Sequence, residues 1–90
     1  MTVKLAQITY AVRYDAEADV AYLRALDHPG PVARTSATTD GHAVSFNEAG
    51  EIVGLTIMDA KRLVEEHRAI DAAEPIDADE LAPAVGAVFA

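Results

Sequence analysis

At 90 residues the chain holds one domain with a modest core, and the absence of cysteine excludes disulfides, thiolate metal sites and cysteine nucleophiles. A formal charge of −8 argues against direct contact with nucleic acid, whose phosphates need a basic surface, and suits a basic protein partner instead. No basic-then-apolar leader opens the sequence and no apolar run nears the ~20 residues of a membrane span, so a soluble, cytoplasmic protein with no membrane partner is expected.

Residues 1–7 show little pattern. From Ile8 to Tyr14 the chain alternates, with Ile8, Tyr10, Val12 and Tyr14 on one face and Thr9 and Arg13 on the other, which is a strand signal. The acidic run Asp15-Ala16-Glu17-Ala18-Asp19 reads as a turn, and Val20 to Leu26 as the next strand, with Tyr22 and Arg24 opposite Ala21, Leu23 and Ala25. His28-Pro29-Gly30-Pro31 breaks the pattern. Val32 to Thr39 reads as a third strand suited to an edge, and Asp40-Gly41 as a two-residue hairpin turn.

The stretch from His42 to Ala60 organises the rest: strand, tight turn, strand, helix start. Asn47 can bond its own backbone two residues on, and Gly50 accepts positive φ without a Cβ penalty. In the strand from about Glu51 to Met58, Val53, Leu55 and Ile57 share one face, and Ile52, Gly54, Thr56 and Met58 the other. Both faces are fairly apolar, as in a central strand or one covered on both sides. Gly54 within it marks a bulge or a close approach by another backbone. Asp59 stands where a helix N-cap belongs. Helical spacing of Leu63, Val64, His67 and Ile70 predicts a helix from about Asp59 to Ala73, ended by Pro75 and supported by the pairs Lys61–Glu65 and Arg62–Glu66. Asp77 with Glu80 three residues later resembles a capping box for a second short helix, which Pro83 would break or kink. An apolar tail from Ala84 to Ala90 ends the chain, free to dock on the domain or on another subunit. The fold class is therefore α+β: about five short, mostly antiparallel strands with a helix packed on one face. A single domain is expected over residues 1–76 and a C-terminal extension over 77–90.

No catalytic constellation stands out. Asp15, Glu17 and Asp19 are spaced like the first calcium-loop ligands, but Val20 and Leu26 occupy the positions of the loop glycine and the bidentate glutamate, so turn capping by Asp15 and Asp19 is the better account. His28, His42 and His67 lack metal spacing, Ser36 and Ser45 lack a nucleophile elbow, and Gly50 and Gly54 do not precede a helix as a phosphate loop requires. Neither metal nor cofactor is expected, and the protein is not expected to be an enzyme. The candidate binding or interface group is Tyr14, Tyr22 and Arg24, joined by Asp15 and Asp19. Its blander alternative is a packing pair with Arg24 lying along the rings. Asn47, Gly50, Gly54 and Asp59 are assigned to turns and the helix cap.

Tyr14-Asp15-Ala16-Glu17-Ala18-Asp19-Val20-Ala21-Tyr22-Leu23 resembles the opening block of DUF2283, a family of small proteins of unknown function. The run from Asn47 to Ala60 resembles its second block, and together the resemblance covers roughly residues 12–64. Asn47 stands near where the family often has an acidic residue, and Thr56 replaces a glutamate. The resemblance implies a small antiparallel sheet with a helix on it and no established activity. Some relatives resemble the smaller partner of two-gene toxin–antitoxin-like modules. The expected function is a non-enzymatic protein-interaction module forming a homo-oligomer, with a dimer favoured and an antitoxin-like role toward a basic protein as one form. The alternative is a small-ligand domain with a pocket near Tyr14, Tyr22 and Arg24.

Overall fold

A computed structural model describes residues 2–5, 7–28, 30–72 and 74–86. Met1, Ala6, Pro29, Ala73 and the apolar tail beyond Gly86 lie outside the described residues. The chain is α+β. Strands β1 (Thr2–Leu5), β2 (Ile8–Asp15), β3 (Val20–Ala25), β4 (Arg34–Ala37), β5 (Ala43–Phe46) and β6 (Ile52–Met58) form one antiparallel sheet in the order β1-β2-β3-β6-β5-β4. Helix α1 (Ala60–Glu65) follows, then a ribbon of β7 (Ala69–Ala72) and β8 (Glu74–Asp77). A 3-10 turn (Ala78–Leu81) and helix α2 (Ala82–Val85) complete the described chain.

One face of the sheet holds the core. Val3, Leu5, Tyr10, Ala21, Leu23, Val44, Leu55 and Ile57 bury against Ala60 and Val64 of α1, Ile70 and Ile76 of the ribbon, and Leu81 and Val85. The alternation read along β2 and β3 is what delivers these side chains to one side. β6 is central, as its apolar character suggests, but only its inner side is covered by helix.

Several expectations need correction. The patternless leader is strand β1, with Val3 and Leu5 buried; four residues are too few for alternation to stand out. With β1 the sheet has six strands, in keeping with the expectation of about five. The helix from Asp59 to Ala73 is only Ala60–Glu65. His67 takes φ 53°, its N–H reaches the Val64 carbonyl at 3.1 Å, and the Arg68 N–H reaches the Leu63 carbonyl at 3.1 Å. That is a left-handed helix stop closed by a residue other than glycine. Val64 and Ile70 are both buried, but Ile70 gets there from a strand, which helical spacing could not distinguish. The Asp40-Gly41 turn spans three residues: Thr38 N–H donates to the His42 carbonyl at 2.7 Å and Gly41 N–H to the Thr38 carbonyl at 3.1 Å, with Gly41 at φ 86°. Pro83 lies in the first turn of α2, where a proline costs no helical hydrogen bond. Residues 78–85 pack on the sheet, with Ala78, Leu81, Ala82 and Val85 in the core.

In the β5–β6 turn, the Asn47 side chain bonds four residues on rather than two. Its Oδ1 accepts from Glu51 N–H at 2.9 Å and its Nδ2 donates to Glu51 Oε1 at 3.1 Å. Gly50 takes φ 82° as the turn requires. The register then slips: Ser45 faces Gly54, but Phe46 faces Ile52, leaving Val53 unmatched in a β-bulge. The bulge turns Ile52 to the inner side with Phe46, where both pack on the core, instead of keeping it with Gly54 and Thr56.

Candidate functional site

The face of the sheet opposite the core carries no described helix. Its side chains form two rows set by register. Ala11, Arg24, Gly54, Ser45 and Thr35 run side by side from β2 to β4, and Arg13, Tyr22, Thr56 and Ala43 form the next row. The first row is mostly small. The space it leaves is an open groove of about 480 Å³, walled by Arg13, Tyr22, Arg24 and Val32 and reaching Val53 at the bulge. Gly54 lies at its floor. A Cβ there would sit 3.2 Å from the Leu23 carbonyl oxygen, so both features anticipated for this glycine, a bulge beside it and a close backbone, are present.

Four large apolar side chains are left exposed among the described residues: Tyr22 (37 %), Leu26 (49 %), Val32 (57 %) and Met58 (39 %). Tyr22 and Val32 line the groove; Met58, by alternation with Thr56 and Gly54 in β6, starts on the outer side and also borders the smaller cavity beside α1, and Leu26 follows directly after the end of β3. The guanidinium of Arg13, not of Arg24, lies over the Tyr22 ring, with its carbon 4.5 Å from the centroid.

Tyr14 does not join this group. It pairs with Ala21, faces the core side and is half-buried. Of the group Tyr14, Tyr22 and Arg24, the groove is bordered by Tyr22 and Arg24, with Arg13 in place of Tyr14, because odd and even residues of β2 leave opposite faces. Tyr14 serves a different centre. Its hydroxyl donates to Asp19 Oδ1 at 2.7 Å, and the same oxygen accepts from Lys61 N–H at 2.8 Å. The Asp19 carbonyl accepts from Ala60 N–H at 3.1 Å. Asp19 thus caps α1 from 42 residues away in sequence. Asp59, assigned that role, sits at φ 54° and makes no side-chain cap bond. The left-handed backbone at Asp59 turns its own carboxylate away from the first free N–H groups, and Asp19 fills the place.

Burial pushes the Asp19 carboxyl up, but the bonds from Tyr14 and from the Lys61 and Arg62 backbone outweigh it and hold the carboxyl below the usual range. Burial first, then the bond to Asp19, pushes the Tyr14 hydroxyl up to about 12. Asp15 accepts from the N–H groups of Glu17 (3.1 Å) and Ala18 (3.2 Å), closing the β2–β3 turn. Asp15 and Asp19 are thus employed by backbone and tyrosine, and neither lines the groove.

His42 is the residue the sequence undervalued. Set aside in the sequence for lack of metal spacing, it is 2 % exposed, and its Nδ1 accepts from Met58 N–H at 3.0 Å, so the ring proton is on Nε2. It borders a smaller cavity of about 140 Å³ with Asp40, Asp59, Arg62 and Arg68. Both arginines there are tied to Glu66, at 3.1 and 3.6 Å. His28 Nδ1 lies 2.6 Å from the Ile52 carbonyl, and His67 Nδ1 lies 2.9 Å from Asp79 Oδ1, so the three histidines are spread over separate parts of the fold. Among the described residues no three His, Asp or Glu side chains are grouped to hold a metal ion, and no helix is long and apolar enough to cross a membrane.

A family model for DUF2283, a protein family of unknown function, matches residues 11–61, more than half of the chain. The matched span contains β3, β6 and the Asp19 cap, and supplies every residue that lines the groove. No curated protein and no solved structure matches the chain.

Proposed function

The chain belongs to the DUF2283 family, and from that premise we propose that it is a non-enzymatic interaction module that self-associates through the outer face of its sheet. The observation that carries this reading is that, among the described residues, the exposed large apolar side chains Tyr22 and Val32 line the groove on that face beside Arg13 and Arg24, with exposed Leu26 and Met58 at the ends of β3 and β6. Tyrosine, methionine and arginine are the residue types enriched where proteins meet, and an isologous dimer repeats one such face on both copies. The face is also the side of the sheet that no described helix covers. An antitoxin-like role toward a basic protein would use other surfaces, because no carboxylate lines the groove and acidic side chains gather at the β2–β3 turn, around α1 and on the 3-10 turn.

Sedimentation velocity of the full chain is expected to show a dimer, and Leu26→Thr/Met58→Thr to shift it toward monomer while leaving the fold intact. Threonine suits a strand and removes apolar area without adding charge. A wild-type chain that stays monomeric as its concentration is raised, or a double variant that associates as well as wild type, would overturn the reading.

A second reading has its own observation. The groove is of a size that takes a small molecule and holds convergent polar groups between apolar walls, so ligand binding and association through this face are compatible.

A further inference from the structure

The groove carries charge opposite in sign to the protein around it. Acidic residues outnumber Lys and Arg by 15 to 7. Lys61, Arg62 and Arg68 are paired with Glu65 or Glu66 around α1. Arg13 and Arg24 form no ion pair among the described residues, and no carboxylate lines the groove they flank.

The local geometry keeps both guanidinium groups available. The Arg13 guanidinium rests over the Tyr22 ring, 4.5 Å from its centroid, and that contact costs it none of its N–H donors. Arg24 has Ala11 on one side and Gly54 on the other, neither of which fills the space around it. Residues 13 and 24 are diagonal neighbours on adjacent strands, which places them about 7–8 Å apart at the backbone, close enough for two long side chains to converge on one group. The hydroxyls of Ser45 and Thr56 border the same space.

We propose that this groove binds a small organic oxyanion, a carboxylate or phosphate on an apolar body, with Arg13 and Arg24 holding the anionic head and Ala11, Gly54 and Val32 receiving the body. Charge decides for a small ligand over a polyanion. Repulsion from a surface of net −8 grows with ligand charge, whereas a ligand bearing one or two charges is governed by the cations it touches. The site goes beyond the self-association reading and lies within one chain. If two copies do meet through this face, their guanidinium groups confront one another, and the bound anion neutralises them.

The test is an NMR titration of the isotope-labelled full chain with benzoate, phenyl phosphate and, as the neutral control, benzamide. Benzoate or phenyl phosphate is expected to shift the amide signals of Ala11, Gly54 and Thr56 while benzamide does not, and the tighter of the two anions assigns the head group. Arg24→Met, which keeps the stem and removes the charge, and Thr56→Glu, which puts a carboxylate beside both arginines, are each expected to raise Kd about tenfold or more. Both positions lie on the open face, and spectral dispersion checks that each variant is folded; either one alone supports the comparison. Absence of groove shifts with both anions, equal binding of benzamide, or an unchanged Kd in the folded variants would overturn the proposal. Repeating the titration on Leu26→Thr/Met58→Thr reads binding separately from association, so that one idea can fail without the other.

Discussion

Replacing Gly54 with valine is expected to destabilise the protein by about 2 kcal/mol, through overpacking rather than backbone strain. Gly54 has no left-handed φ, so a side chain is not barred by conformation. It is barred by the neighbour. The first atom added, Cβ, would lie 3.2 Å from the Leu23 carbonyl oxygen and 3.8 Å from Ser45 Cβ. Leu23 belongs to β3, which is held by hydrogen bonds to β2 on one side and β6 on the other, so its carbonyl cannot retreat without disturbing two ladders. Valine adds two methyl groups to that contact, on the floor of the groove. Gly54→Ala introduces the Cβ alone and is expected to cost less than valine. Urea unfolding of the two variants checks the order, and a valine variant as stable as wild type would mean that the strands separate more easily than their pairing implies. The same variant also fills the groove, so its binding defect in the anion titration should exceed what its stability explains.

What the sequence disclosed and what it concealed divide along a physical line. Features set by neighbours in the chain were legible: the alternation of β2 and β3, the turn glycine Gly50, the edge character of β4, and the strain or crowding signalled by Gly54. So were Tyr22 and Arg24 as a pair on one face. Features set across the fold were not. Nothing local to Asp19 reveals that its carboxylate caps a helix beginning at Ala60, and nothing local to Asp59 reveals that it is unavailable for that task. The insertion of β6 beside β3, with β4 sent to the far edge, is likewise a long-range choice. It places Gly54 next to Arg24 and so creates the groove. Arg13 could have been found from the sequence, because the alternation that put Tyr14 on the core side also put Arg13 opposite to it, toward the side where the groove forms. Ile70 shows the remaining kind of miss: seven residues after Leu63, an apolar position fits one helix face as well as it fits a new strand, and only the left-handed backbone of His67 decides.

Asp19→Ala is expected to cost about 2–3 kcal/mol, more than a surface acidic residue would, because three separate contributions are lost together. The Tyr14 hydroxyl loses its acceptor, the Lys61 N–H loses its cap, and alanine must adopt the left-handed backbone (φ 54°) that aspartate tolerates better. Asp19→Asn keeps a side-chain oxygen for both donors and keeps the tolerance of that backbone, so it should lose clearly less; equal losses for the two variants would refute the capping account. The pH dependence follows with a definite sign at each end. Asp19 has a depressed folded value, so the stability its carboxylate contributes is present above the ordinary value of about 3.9 and is lost as the pH falls through the lower folded value. Asp19→Asn should remove that acid-side slope. Tyr14 is raised from 10.0 to about 12, so between these values the unfolded chain releases the tyrosine proton while the folded chain retains it, and stability falls as the pH rises through that window. The informative quantity is the difference between wild type and Tyr14→Phe. Phenylalanine removes the ionising group along with the bond to Asp19. The variant should therefore start less stable at neutral pH and close the gap with wild type toward pH 12, whereas a gap that stays constant would show that the Tyr14–Asp19 contact does not form in solution.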